Sequence, residues 1–206
     1  MLDRFKKSSQ QLLDLLFPMA CVSCGVYGRL VCEECLNSIK LLKNQEFLAA
    51  TNYSQKVAAK MVSSLKYDLL RDLDFWCAEV MFRFLKANQI TFDEDTIITF
   101  VPMHYAKQQI RTFNQAELIA QKLSIALELP CFKILTKVRR SPAQMTLNQE
   151  QRLTNLKGTI TSARCDGKKI LLIDDVFTTG TTFRECKEAL YKGGAKDVRC
   201  FAFCKD

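Results

Sequence analysis

The sequence predicts an α/β protein: a parallel sheet with flanking helices, plus a small N-terminal four-cysteine knuckle. Three observations predict it. Apolar, strand-like runs alternate with helical patterns after residue 95, the order that builds parallel sheets. The apolar run at 170–173 ends in adjacent carboxylates, Asp174 and Asp175, then a Thr/Gly loop and the helical pattern FRECKEALYKGG. Cys21, Cys24, Cys32 and Cys35 stand in the spacing C-x2-C-x7-C-x2-C.

Taken in order, residues 2–17 read as an amphipathic helix ending before Pro18, with Leu12, Leu13, Leu15, Leu16 and Phe17 as its apolar residues. The knuckle occupies 21–35, and 36–43 reads as a short connecting helix. A strand is expected at 46–53. The spacing of Val57, Ala58, Met61, Val62 and Leu65 predicts a helix over 54–67. A second helix covers 70–87, burying Leu73, Trp76, Cys77, Val80, Phe84 and Leu85. Residues 95–101 form a strand ending at Pro102, 114–129 a helix and 132–135 a short strand. Residues 136–147 lack periodicity, and 149–156 read as helical. The last three elements are a strand at 169–174, a helix at 181–192 and a strand at 198–203. Cys200 and Cys204 fall on one face of that strand by period two. Two units follow: 1–43, the N-terminal helix and knuckle, and 44–206, the α/β domain.

The chain has 206 residues, 48% of them hydrophobic and 25% charged, enough for one packed core and a small appendage. Its net charge of +8, from 30 basic and 22 acidic residues, favours anionic partners such as phosphate esters, nucleic acid or an acidic protein surface. No apolar run approaches the roughly 18–20 residues of a membrane-spanning helix. Asp14 interrupts the N-terminal apolar stretch and Pro18 breaks a lipoprotein-type box, so an amphipathic helix explains that segment better than an export signal. The six cysteines outside the knuckle are scattered, mostly among apolar neighbours, as buried thiols of a reducing compartment are. A cytoplasmic protein is expected.

Each CxxC of the knuckle can place two thiolates on one metal ion. Four thiolates in tetrahedral geometry suit zinc and leave no position open for catalysis, so Cys21, Cys24, Cys32 and Cys35 are expected to hold a structural zinc. Gly25 and Gly28 ease the turns between them. Two disulfides or two separate redox pairs are the alternative reading.

The strand–loop–helix at 169–192 carries the chemistry. A strand delivers Asp174 and Asp175 to its carboxyl end, where ligands of parallel sheets sit. Thr178, Thr179, Gly180, Thr181 and Thr182 then open a helix whose free N–H groups and dipole favour an anion. The hydroxyls add donors, and the acids suit vicinal ribose hydroxyls. The expected ligand is a 5-phosphoribosyl group. Helix capping would explain one or two of these residues but not two acids and four threonines around a glycine.

DDVFTTGTT resembles the phosphoribosyl-pyrophosphate (PRPP) loop of type I phosphoribosyltransferases, which implies that fold and Mg²⁺ bound with PRPP. The order of features narrows the resemblance. The knuckle precedes VPMHYAKQQIRTFNQAELIA, then VRRSPAQMTLNQEQRLTNLKG, then the loop. This order, over nearly the whole chain, resembles the ComF family, which includes ComFC-type competence proteins. The family's Arg-Gly-Phe-Asn-Gln box corresponds here to Arg111, Thr112, Phe113, Asn114 and Gln115. Thr112 stands where glycine is usual and Met103 where a second proline is common; Thr112 leaves the usual loop geometry open.

Arg111 reads as an anion contact, its guanidinium forking onto phosphate oxygens. Asn114 can cap the helix that follows, with Glu117 as partner of a capping box. By the resemblance, 136–150 are the loop that closes over pyrophosphate, with Arg139, Arg140 and Arg152 as pyrophosphate or DNA contacts; a solvated basic loop is the bland alternative. Lys66, in a Leu-Lys-Tyr element common in the family, either faces the ligand or is an ordinary helix-end lysine. His104, the single histidine, has no visible partner and is a weak acid/base candidate.

The resemblance implies a competence factor handling single-stranded DNA during natural transformation through a PRPP-type pocket, with a helicase-like ATPase (ComFA) as partner. The alternative is a phosphoribosyltransferase moving 5-phosphoribose from PRPP to an acceptor the sequence does not identify. A third reading is a module that binds PRPP or a 5′-phosphate end without turnover.

Overall fold

The structure is a computed structural model and describes residues 19–43, 48–103, 112–137 and 160–206. The helices expected at 2–17 and 149–156 lie outside the described residues. The elements are α1 (Glu33–Ser38), β1 (Leu48–Asn52), α2 (Lys56–Tyr67), α3 (Leu73–Ala87), β2 (Thr96–Phe100) and α4 (Gln115–Leu127). They continue as β3 (Leu135–Lys137), β4 (Ile160–Ser162), β5 (Lys169–Phe177), α5 (Thr181–Lys192) and β6 (Asp197–Lys205). Among these, no helix is long and apolar enough to cross a membrane.

Four strands form one sheet in the order β1-β6-β5-β2, and every pairing is parallel. Both faces are covered, so its strands are apolar on both sides. On β5, Leu171 and Ile173 face one layer while Ile170 and Leu172 face the other. The first layer holds Met61 and Leu65 of α2, Leu73, Val80 and Phe84 of α3, and Ile119 and Leu123 of α4. The second holds Phe183, Cys186 and Leu190 of α5 with Leu135 and Ile160 of β3 and β4. Phe84 meets Phe201 of β6 at 5.4 Å between ring centroids. Burying each such ring contributes about 1.5–3 kcal/mol. Val31, Leu36 and Ile39, on either side of the second cysteine pair, are buried in the same layer as Met61 and Phe84.

Four details differ from the sequence reading. The helix expected at 36–43 lies at Glu33–Ser38, because the Cys32 thiol caps it by accepting from Cys35 N–H, and Ile39 turns extended at ψ 114°. Leu42 then donates to Ala50 O, which ties this segment to β1. The strand expected at 132–135 splits in two: Cys131 makes a single parallel bridge to Ile98 beside β2, and β3 pairs antiparallel with β4 in a separate small sheet. β5 continues to Phe177, past both acids. Cys200 and Cys204 pack in opposite layers, since both ladders of β6 skip Phe203 and the alternation breaks there.

Candidate functional site

β5 outruns its neighbour β2 at the carboxyl end of the sheet. Their pairing stops at Phe100↔Ile173, whereas β5 stays paired with β6 to Phe177↔Lys205. Asp174 and Asp175 therefore lie beyond the end of β2, where that flank opens into a cleft of about 200 Å³. Successive strand residues point to opposite faces, so the two acids diverge. Asp175 turns toward α2 and meets Lys66 at 2.9 Å. Asp174 accepts a hydrogen bond from Asp175 N–H at 2.9 Å. Burial, together with the charge of Asp175, holds the Asp174 carboxyl well above the usual carboxylate range.

The loop that follows is built around Gly180, which caps α5 with φ +73°, a left-handed conformation that glycine adopts without strain. A Cβ there would also stand 3.1 Å from the Phe177 ring. Among the described residues no side chain caps α5, and its first backbone bond is Arg184 N–H to Gly180 O. The N–H groups of its first turn and the positive end of its dipole thus face outward. Thr178 and Thr179 are exposed, Thr179 and Thr181 hydroxyls lie 3.1 Å apart, and Thr182 lines the cleft.

The opposite wall comes from the start of α4. Asn114 fixes it: its Nδ2 donates to Val101 O at the end of β2, and its Oδ1 accepts from Ala116 N–H. The cap thus reaches the second helical residue, not Glu117 as a capping box would. Thr112, just before, has φ +58°, the left-handed region where a glycine is unstrained. Of the candidates read from sequence, Lys66, Asp174, Asp175 and Thr182 line one cleft, with Thr178, Thr179, Gly180 and Thr181 in the adjoining loop. His104, Arg111, Arg139, Arg140 and Arg152 lie outside the described residues.

Two cleft residues escaped the sequence reading. Lys137, at the end of β3, reaches the cleft because the small β3–β4 sheet forms its lip. Its only sequence signal was its place two residues before Arg139 and Arg140. Gln115 lines the cleft with its side chain 2% exposed, and its Nε2 has no hydrogen-bond partner among the described residues. It was visible only as the last letter of the Arg-Thr-Phe-Asn-Gln box.

In the N-terminal segment, the thiol sulfurs of Cys21, Cys24, Cys32 and Cys35 all lie within 4.8 Å of one another, a cluster that could hold a metal ion. Four sulfurs at ~2.3 Å from a tetrahedral centre stand about 3.8 Å apart, so the set fits zinc. All ten cysteines are free. Gly25 and Gly28 turn the chain at φ +79° and +108°. Burial pushes the Cys21 thiol up, but N–H groups of Cys32, Cys24 and Ser23 outweigh it and bring it down to about 6. Burial and the neighbouring thiols push Cys35 up to about 12. A bound cation would relieve that mutual repulsion.

A parallel sheet whose acid-tipped strand leads through a Thr/Gly loop into an uncapped helix defines a type I phosphoribosyltransferase-like protein. The phosphoribosyl transferase domain family matches residues 114–206. Competence protein F of Haemophilus influenzae is 24% identical over 198 residues, 90% of this chain and 84% of that protein. Competence protein ComFC of Streptococcus pneumoniae is 32% identical over 135 residues, 65% of this chain and 59% of its own length. DNA utilization protein YhgH of Escherichia coli is 26% identical over 193 residues, 90% of this chain and 83% of its own. Over most of its length the chain is similar to competence and DNA-utilization proteins of the ComF type.

Proposed function

We propose that the protein is a cytoplasmic competence factor that handles single-stranded DNA during natural transformation, through a cleft that binds a phosphoribosyl-type ligand. The observation that carries this is the convergence of Asp174, Asp175 and Lys66 beside the uncapped start of α5 in one cleft. The names of the competence and DNA-utilization relatives supply the biology. In this reading Asp174 and Asp175 accept from ribose hydroxyls, and the Thr178–Gly180–Thr182 loop holds the 5′-phosphate. Arg111, Arg139, Arg140 and Arg152 contact pyrophosphate or DNA, with Mg²⁺ entering on PRPP. The division into 1–43 and 44–206 gives each unit a task. The knuckle, held by zinc on Cys21, Cys24, Cys32 and Cys35, docks a ComFA-type helicase through its exposed Val26 and Tyr27, the latter 73% exposed.

A second reading is favoured by the same acids: transfer of 5-phosphoribose from PRPP to an unidentified acceptor. The bond from the anomeric carbon to pyrophosphate breaks, pyrophosphate leaves with the electron pair, and the acceptor nucleophile bonds to that carbon. Catalysis would rest on positioning and charge stabilisation. Competition binding separates the two. A 5′-phosphorylated single-stranded oligonucleotide should displace PRPP and a 5′-hydroxyl oligonucleotide should not, with affinity falling as salt rises. Equal displacement by both, or by neither, contradicts the DNA reading; pyrophosphate release with any acceptor supports the enzymatic one.

A further inference from the structure

Gln115 and Asn114 are adjacent amides at the start of α4 with different fates. Asn114 spends its amide on the fold, donating to Val101 O at 2.9 Å and accepting from Ala116 N–H at 3.1 Å. Gln115 is as well buried as a core leucine, at 2% exposure, yet its Nε2 donates to nothing among the described residues. Buried amides without partners are rare and costly. The residue that carries the orphaned group lines the cleft that also presents Lys66, Lys137, Asp174 and Asp175. Lys66 is already engaged with Asp175, and Asp174 with Asp175 N–H. Among the described residues, the free capacity at this wall is donor capacity: the Gln115 amide, the Lys137 ammonium and the first-turn N–H groups of α4 other than that of Ala116. Such a wall calls for a ligand rich in acceptor oxygens.

We propose that the Gln115 amide donates to a phosphate-type oxygen of the ligand in this cleft, so that Gln115 is a ligand-contacting residue whose donor is paired only when the cleft is filled. This rests on the phosphoribosyl reading of the cleft. It goes further by assigning the α4 wall an anion contact separate from the α5 loop. It also accounts for a polar residue kept at a position that packing alone would give to methionine or leucine.

Gln115→Met keeps the side chain's length and burial and deletes the donor. Gln115→Glu keeps its shape and turns the donor into an acceptor. Both variants and the wild type are titrated calorimetrically with Mg²⁺–PRPP and melted without ligand. The Met variant is expected to melt at or above the wild type, because an unpaired buried group is gone, and to bind PRPP about 10- to 100-fold more weakly. The Glu variant is expected to bind more weakly still, since a carboxylate repels a phosphate. Unchanged affinity in the Met variant overturns the inference and leaves the cleft reading standing. A Met variant that melts lower makes the residue structural and overturns it too. A Glu variant that binds like wild type overturns the phosphate assignment, because only a hydroxyl could serve both side chains. No binding by the wild type overturns the cleft reading and this inference together.

Discussion

Lys66 and Asp175 meet at 2.9 Å with side chains 17% and 14% exposed, between the end of α2 and the acid tip of β5. At that depth water screens the pair only partly. An effective dielectric near 20 gives a gross attraction of about 5–6 kcal/mol at this separation. Desolvating both charges takes back a large share, leaving a net coupling of about 1.5–3 kcal/mol. The perturbation is Lys66→Met and Asp175→Asn, singly and together. Urea unfolding of the four proteins near pH 7 without ligand yields the coupling as the non-additive remainder. Each single change is expected to destabilise by roughly 2 kcal/mol, about 4–8 °C in melting temperature at ~2–4 °C per kcal/mol. The double variant should lose less than the sum. A coupling below about 0.5 kcal/mol would refute the reasoning, since it would mean the pair behaves as an exposed surface bridge. Because the lysine orients the carboxylate offered to the ligand, Lys66→Met is also expected to weaken PRPP binding.

Other expectations follow from the same geometry. Thr112 holds φ +58° at a cost of about 1–2 kcal/mol for a residue with a Cβ, part of which the greater chain entropy of an unfolded glycine offsets. Thr112→Gly should therefore stabilise by roughly 0.5–1 kcal/mol in denaturant unfolding, and a loss of stability would show the turn to be otherwise supported. Asp174 has its carboxyl raised in the folded protein, so the native state holds a proton that the unfolded chain releases. Its contribution is fully present below the ordinary value near 3.8 and is lost as pH rises through the folded value. Asp174→Asn should accordingly melt higher than wild type at pH 8, and the two should converge near pH 4; a lower melting temperature at pH 8 would contradict this. Metal analysis of the purified protein should find one zinc per chain, and chelation should expose the 19–43 segment to protease while the sheet persists. A protein without zinc that keeps the knuckle protected would reject the metal role.

Much of this architecture was legible because its signals are local. The α5 helix begins and ends where its loop and its glycine pair imply, and the two-sided burial of β5 follows from an unbroken apolar run. The knuckle's spacing announces four convergent thiols, which the fold brings within 4.8 Å of one another. What was missed depends on partners distant in sequence. β3 and β4 are three residues each and pair across some twenty intervening positions, so neither carries a period of its own. Lys137 enters the cleft only through that pairing. The start of α1 depends on a thiol acting as a cap, a role cysteine seldom signals. Gln115 looks like any polar first-turn residue until the fold buries it, and the break in alternation at Phe203 is a property of the ladders rather than of the strand's composition.

The claim at the centre of this account is that the cleft beside Asp174 and Asp175 takes a phosphoribosyl ligand. Calorimetric titration of Mg²⁺–PRPP into the zinc-loaded protein tests it most directly, with the Asp174→Asn, Asp175→Asn double variant alongside. Saturable binding by the wild type that the variant loses, while still melting cooperatively, is the predicted result. Absence of binding by the wild type, or equal binding by the variant, would contradict it.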